Sequence, residues 1–178
     1  MLRQPQSLLF RRQSNSLWRY VLAEETGNVF ISHVHEDDAG LTDLKSLVAS
    51  KGFNLRDSSI TSDKPNNATS PEYIKSEILA PKIQWAGTVV VYLSSDTCKS
   101  EWVNWEIEYA QKQGKRIVGV WDHGEADCDL PDGLEQYADA VVGWQADRVI
   151  DAINGTINNF DPQAGAPPAA RKIPRHSC

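Results

Sequence analysis

The chain has 178 residues, of which 40% are hydrophobic, and this is enough to bury the core of one globular domain. Its formal charge is −6, and the first 23 residues hold four arginines and no acid, so the remaining residues carry −10. An acidic body argues against nucleic acid or an anionic membrane as the main partner, because both bind a concentrated basic face. A small anionic ligand would need a local positive site.

The cysteines and the hydropathy indicate a protein of a reducing compartment. Cys98, Cys128 and Cys178 are an odd number without CxxC or metal-ligand spacing, so they do not form a disulfide framework. No run approaches the roughly 20 apolar residues that a membrane-spanning helix needs. We therefore expect a cytoplasmic protein.

The two ends of the chain differ from its middle in composition. Residues 7–25 place leucines, Trp18 and Val21 among arginines, a weakly amphipathic pattern that predicts an N-terminal helical extension over residues 1–27. The same Arg-bearing, acid-poor segment is also typical of organelle transit peptides. The Pro/Ala-rich residues 161–178 predict a disordered tail, which leaves 28–160 as the domain.

Five stretches have the apolar, β-rich composition of buried strands, with helical spacing between them. The predicted strands are residues 28–33, 53–56, 88–93, 116–121 and 138–144. A helix opening at Ser70 carries Ile74, Ile78 and Ile83 and is expected to break or kink at Pro81. The last helix is predicted to run over residues 145–160.

This alternation predicts an α/β fold in three layers, with helices on both faces of a parallel sheet. We predict a flavodoxin-like order, 2-1-3-4-5, in which the winding reverses between the first and third strands. Ligands bind at the carboxyl ends of those two strands. In this chain the ends carry Ser32 and His33 on one side, and Ser94 and Ser95 on the other.

The stretch 94–110, SSDTCKSEWVNWEIEYA, leads from the third strand into a helix. At roughly 100° per residue, the core-facing positions are Val103, Ile107 and Ala110. Trp102, Glu106 and Tyr109 share one flank. A carboxylate beside an aromatic ring can stabilise positive charge on a ribose as a glycosidic bond breaks. Equally, Glu106 can be a solvated surface acid beside an aromatic that only packs.

Trp105 is predicted to lie on the outward face of the same helix, where a large aromatic needs a cover. Either the N-terminal helix or a neighbouring protomer would provide it, and we favour the protomer.

The segment SHVHEDD, from Ser32 to Asp38, resembles in part the HxHxDH metal motif of metallo-β-lactamases. The match ends at Asp38, where that motif has histidine. Only His123 and His176 remain as further imidazoles, so we predict no metal. The chain also lacks a Walker loop, a GxGxxG motif and a hydrolase serine elbow.

The chain resembles the TIR-domain family. The resemblance is carried by LSSDTCKSEWVNWEIEYA, with Ser100-x-Trp102 and the later Glu106, by NVFISH at residues 28–33, and by RIVGVW at 116–121. It covers residues 28–160 and implies the same strand order, 2-1-3-4-5. Among the subfamilies of TIR domains, this short chain is most similar to the TIR proteins of Thoeris anti-phage defence.

The resemblance implies an activity and a site. Bacterial and plant TIR domains of this kind cleave NAD between nicotinamide and ribose, giving ADP-ribose or cyclic isomers. The glutamate that they require corresponds to Glu106, and Trp102 completes a WxxxE pattern. On this hypothesis Ser32, His33 and Ser95 line the pocket, NAD is the substrate, and no resident cofactor is needed.

The resemblance also implies partners, and an alternative. TIR contacts would mediate self-association, and a separate effector protein would respond to the product. Adaptor TIR domains keep a similar helix while acting only as interaction modules, so a non-catalytic scaffold in signalling or virulence remains open.

Overall fold

A computed structural model of the chain describes residues 25–60, 70–123, 129–161 and 169–170. The strands are β1 (Glu25–Ser32), β2 (Phe53–Asp57), β3 (Thr88–Leu93), β4 (Arg116–Trp121), β5 (Ala140–Val142), β6 (Asn159–Phe160) and β7 (Ala169–Ala170). The helices are α1 (Asp38–Ala49), α2 (Pro71–Tyr73), α3 (Ala80–Trp85), α4 (Glu101–Lys112), α5 (Asp132–Tyr137) and α6 (Ala146–Asn154). Short 3-10 turns occupy His35–Asp37 and Thr97–Lys99, and a π-helical segment, Ile74–Leu79, joins α2 to α3.

The sheet has the order β2-β1-β3-β4-β5-β6-β7, so the predicted α/β fold and the order 2-1-3-4-5 are confirmed. The five strands pair in parallel, as right-handed crossovers require. Two short strands extend the edge: β6 pairs in parallel with β5, and β7 pairs antiparallel with β6. β7 falls in the tail that was predicted to be disordered. The predicted N-terminal helix and the rest of the tail lie outside the described residues.

The sheet separates two apolar cores, and β3 contributes to both because successive side chains of a strand point to opposite faces. Val89, Val91 and Leu93 pack with Ile107 of α4 on one face. Val90 and Tyr92 pack on the other, where α1 and α6 lie. No helix in the described ranges is long and apolar enough to cross a bilayer.

The predicted break at Pro81 is replaced by a change of winding. Proline has no N–H and crowds the carbonyl four residues before it, so regular α-helical bonding fails around it. The chain stays helical, and the N–H of Ala80 bonds to the carbonyl of Lys75, five residues back. This winding brings Leu79 into the core, where Ile78 was expected.

The last helix is shorter than predicted. α6 ends at Asn154 because Gly155 adopts a left-handed conformation, with φ of 79°. The Nη2 of Arg116 donates to the carbonyl of Ile157 at 2.7 Å and so fixes the chain after the helix. Phe160, which was expected on the helical face, instead belongs to β6.

Candidate active site

The rotation of α4 is set at its start and along its core-facing side. Ser100 caps the helix, its Oγ accepting a bond from the N–H of Val103 at 3.3 Å. Val103, Ile107 and Ala110 are fully buried, as the spacing predicts. With these positions against the sheet, Glu106 is also drawn inward and is only 7% exposed. The interpretation of Glu106 as a solvated surface acid is therefore wrong.

Ser32 and Glu106 form the centre of the candidate site. Ser32 is the last residue of β1, and its side chain lies on the same face as that of Phe30, towards α4. Its Oγ donates a hydrogen bond to Oε2 of Glu106 at 2.5 Å. Burial raises the pKa of Glu106 to about 8, although the hydrogen bond from Ser32 acts to lower it. The free protein therefore holds this carboxyl mainly in its neutral form at pH 7.

The other two predicted lining residues have different surroundings. His33 follows β1, and its Nε2 lies 3.0 Å from Oδ1 of Asp38, while its Nδ1 lies 3.0 Å from the carbonyl oxygen of Ile31. Ser95 is exposed in the loop after β3. The structure thus joins Ser32 to Glu106 and gives His33 separate partners.

Trp102 lies one helical turn before Glu106, at the N-terminal end of α4, which faces the carboxyl edge of the sheet. It is 39% exposed. The Nζ of Lys75, from the π-helical segment, lies 5.3 Å from the centre of its ring. A partly exposed ring next to a buried carboxyl can bound a pocket for a flat ligand.

Trp105 is covered within its own chain, so the prediction that it lies on the outward face is wrong. Its ring stacks on Tyr109 with centroids 5.2 Å apart, and the Nζ of Lys75 lies 5.5 Å from its centre. The ring is half-buried and packs against the core on the α4 side. Its exposure therefore gives no reason to invoke a neighbouring protomer.

A second polar group bridges the loops after β1 and β3. Asp37 occupies the N-cap position of α1, but its side chain makes no cap bond. Its Oδ2 instead accepts from Ser94 Oγ at 2.6 Å and from Thr97 Oγ1 at 3.4 Å. Burial raises the pKa of Asp37, and these two hydrogen bonds oppose the rise. This bridge was not predicted from the sequence, although polar residues directly after two adjacent strands were a signal for it.

A further polar contact, between Tyr92 and Asp122, lies next to Asp37 and α1. The hydroxyl of Tyr92 donates to Oδ1 of Asp122. Burial, together with that bond, raises the pKa of the Tyr92 phenol. Only glycine fits at position 40, because a Cβ there would lie 2.2 Å from the Tyr92 oxygen. Within the described residues, no cluster of three or more His, Cys, Asp or Glu side chains could hold a metal ion.

A parallel sheet of order 2-1-3-4-5, with a Trp-x-x-x-Glu helix beside the end of its first strand, defines a TIR-like domain. The sequence profile of the family "Thoeris protein ThsB, TIR-like domain" matches residues 30–127, more than half of the chain. The chain belongs to this family.

Relatives and solved structures extend the comparison. The "putative cyclic ADP-D-ribose synthase TIR2" of Cytobacillus dafuensis is 26% identical over an alignment of 136 residues, and the match covers 71% of this chain and 33% of that protein. The chain thus spans about a third of that relative's length.

Two solved structures are similar at low sequence identity. A conserved protein from Enterococcus faecalis V583 has a TM-score of 0.51 and 10% identity, over 74% of this chain and 99% of that one, and shows a shared fold. The CMP N-glycosidase BcmB of Clostridium botulinum has a TM-score of 0.43 and 17% identity, over 73% of this chain and 99% of that one.

Proposed function

We propose that the chain is an NAD-cleaving TIR enzyme, an NAD glycohydrolase or cyclase that releases nicotinamide. The observation that carries the proposal is the buried carboxyl of Glu106, held by Ser32 at the end of β1. A carboxyl with a strongly raised pKa beside the switch point of a parallel sheet is typical of a functional site. The family and the name of the Cytobacillus dafuensis relative support this choice of chemistry.

In the proposed reaction, the bond between C1′ of the ribose and the nicotinamide nitrogen breaks. Its electron pair returns to the pyridinium ring, so nicotinamide leaves as a neutral molecule. Positive charge then develops on C1′ and the ribose ring oxygen, and the carboxylate of Glu106 stabilises it. Attack by water gives ADP-ribose, while attack by a nucleophilic atom of the same nucleotide gives a cyclic product, and either route releases one proton.

The carboxylate must form before it can act. In the free protein its burial favours the neutral acid. The cationic nicotinamide ribosyl group favours the ionised form, because an opposite charge nearby lowers the pKa of an acid. Ser32 keeps its hydroxyl aimed at Oε2 and stabilises the carboxylate once the proton leaves.

The other proposed roles follow the surroundings of each residue. Trp102, partly exposed one turn from Glu106, bounds the nicotinamide end of the pocket. His33 and Ser95 lie at the ends of β1 and β3, and we assign them to the rim of the substrate site. In the cell, the product would act as a cytoplasmic signal of anti-phage defence, read by a separate effector, and self-association of TIR domains would complete the assembly.

The test is mass spectrometry of NAD incubated with the concentrated protein, alone and with extract of infected cells. Wild type should release nicotinamide. Glu106→Gln should release it at a rate at least about 100-fold lower, as expected when an electrostatic stabiliser of the transition state is removed. Glu108→Gln is the matched control, because Glu108 is an exposed acid of the same helix, paired with Lys112. Its rate should equal that of wild type.

Absence of nicotinamide release under every condition, including crowded protein and infected-cell extract, would contradict the proposal. The domain would then act as a non-catalytic interaction module. Equal rates for Glu106→Gln and wild type would contradict the assignment of Glu106.

A further inference from the structure

Lys75 reaches α4 because of the winding of the π-helical segment. The carbonyl of Lys75 accepts the five-residue bond from Ala80, so Lys75 lies in the widened turn before Pro81. Its ammonium group lies against two rings of α4, 5.3 Å from the centre of Trp102 and 5.5 Å from that of Trp105. The side chain is half-buried and therefore held beside the candidate site.

Lys75 forms no salt bridge with any described residue, and its charge helps to lower the pKa of the exposed Glu72, three residues earlier. Other basic side chains of the described ranges do form such pairs: Lys45 with Asp57, Lys51 with Asp147, Lys112 with Glu108, and Arg148 with Asp161. The two indole faces attract the ammonium, but they do not take up its three hydrogen-bond donors. In a chain of formal charge −6, this is a local positive site of the kind that an anionic ligand needs.

The position of Lys75 matches the layout of a dinucleotide. Trp102 and Glu106 are one helical turn apart, about 5.4 Å along the helix axis. Lys75 lies against Trp102, which is the turn nearer the carboxyl edge of the sheet. In NAD the pyrophosphate is attached to the 5′ carbon of the same ribose whose C1′ reacts. The 5′ carbon and the nicotinamide project from the same face of that ribose, so a cation held beside Trp102 can reach the phosphates when Trp102 bounds the nicotinamide end and C1′ lies beside Glu106.

We propose that Lys75 binds the pyrophosphate of the dinucleotide substrate and so sets the requirement for a phosphate-bearing ligand. The inference rests on the proposed function, since it places the ribose at Glu106. Lysine binds phosphate as a point charge through its ammonium donors. The two tryptophans hold that charge in place before the ligand arrives.

The test is calorimetric binding of ADP-ribose, which carries the pyrophosphate but has no nicotinamide bond to cleave. Lys75→Gln should weaken binding by roughly tenfold or more, as expected when a charge-assisted hydrogen bond is lost. Lys75→Arg should keep most of the affinity. Lys112→Gln is the matched control, because it removes one positive charge from the exposed far end of α4 and should leave the affinity unchanged.

Salt and a second ligand separate a direct contact from a loss of structure. The affinity of wild type for ADP-ribose should fall with salt more steeply than that of Lys75→Gln. Nicotinamide riboside, which has no phosphate, should bind equally to both proteins. Unfolding midpoints of the two proteins, measured alongside, should agree.

Equal affinities of wild type and Lys75→Gln for ADP-ribose, or no binding of ADP-ribose by wild type at millimolar concentration, would overturn the role of Lys75. A failure of the proposed function is distinguishable. In that case nicotinamide is never released, whereas ADP-ribose still binds in a manner that depends on Lys75.

Discussion

Two carboxyl groups accept hydrogen bonds from serine hydroxyls at the same edge of the sheet, in different surroundings. Glu106 has one such donor, Ser32, and faces the apolar core on the α4 side. Asp37 has two hydroxyl donors, Ser94 and Thr97, and is half-buried between two loops. Burial raises the pKa of both carboxyls, and the hydroxyl donors oppose it in both.

The difference shows what each group contributes. Asp37 ties the loop after β1 to the loop after β3, and the hydroxyl of Thr97 also lies 2.8 Å from the carbonyl oxygen of Tyr92 in β3. Glu106 is set apart by the extent of its burial, which leaves it neutral in the free protein and sensitive to a cation. We therefore propose a structural role for Asp37 and keep the reactive role for Glu106.

The largest expected effect concerns stability. The pKa of Glu106 rises from its ordinary value of 4.5 to about 8 on folding, so the unfolded chain releases this proton first as the pH increases. The contribution of Glu106 to the free energy of unfolding should therefore fall between about pH 4.5 and 8, by up to roughly 5 kcal/mol. Glu106→Gln should remove this fall, so it should be more stable than wild type at pH 8. Denaturant titrations at several pH values measure the difference.

The control for this stability effect is Glu108→Gln, which removes an exposed acid of the same helix. It should follow the wild-type dependence on pH. A constant difference between Glu106→Gln and wild type from pH 4.5 to 8 would contradict the raised pKa of Glu106.

An effect of intermediate size is expected from Ser32→Ala. This change removes the donor that stabilises the carboxylate of Glu106, so the pKa of Glu106 should rise further. At pH 7, kcat/KM for nicotinamide release should fall roughly tenfold, the value of one charge-assisted hydrogen bond. The midpoint of the pH profile should move to higher pH. A lower rate with an unmoved midpoint would show that Ser32 does not control the ionisation of Glu106.

Ser94→Ala should have the smallest effect, and on a different quantity. It removes the stronger of the two hydroxyl donors to Asp37, so the free energy of unfolding should fall by about 1 kcal/mol. The midpoint of the pH profile of kcat/KM should stay where it is in wild type. If Ser94→Ala moves that midpoint as Ser32→Ala does, the two carboxyl groups act as one unit.

The strand order was predictable because apolar runs separated by helical spacing leave few topologies. These apolar runs do not indicate that Ser32 pairs with Glu106, which lies 74 positions later in the chain. Strands buried on both faces are apolar throughout, so their sequence does not indicate which side of the sheet each residue faces. Ser32 and His33 were therefore assigned to one pocket, whereas the structure gives them different partners.

The predicted helix faces and helix ends were wrong where two sequence signals competed. Ile78 fits regular helical spacing, but Pro81 disrupts that spacing, so Leu79 lies in the core instead. The same change of winding gives Lys75 a position that the sequence did not predict. At the last helix, Ile157 and Phe160 continued the apolar pattern beyond Gly155, and the glycine ended the helix. In both places a backbone constraint decided the structure over side-chain periodicity.

The most direct test of the central claim, that the buried carboxyl of Glu106 cleaves NAD, is the pH dependence of kcat/KM for nicotinamide release by the wild-type protein. This quantity reports the ionisation of the free enzyme. It should rise with pH as one group ionises, with a midpoint near the pKa of about 8 expected for Glu106, and then level off. A profile that is flat from pH 6 to 9, or one that Glu106→Gln reproduces, would contradict the account.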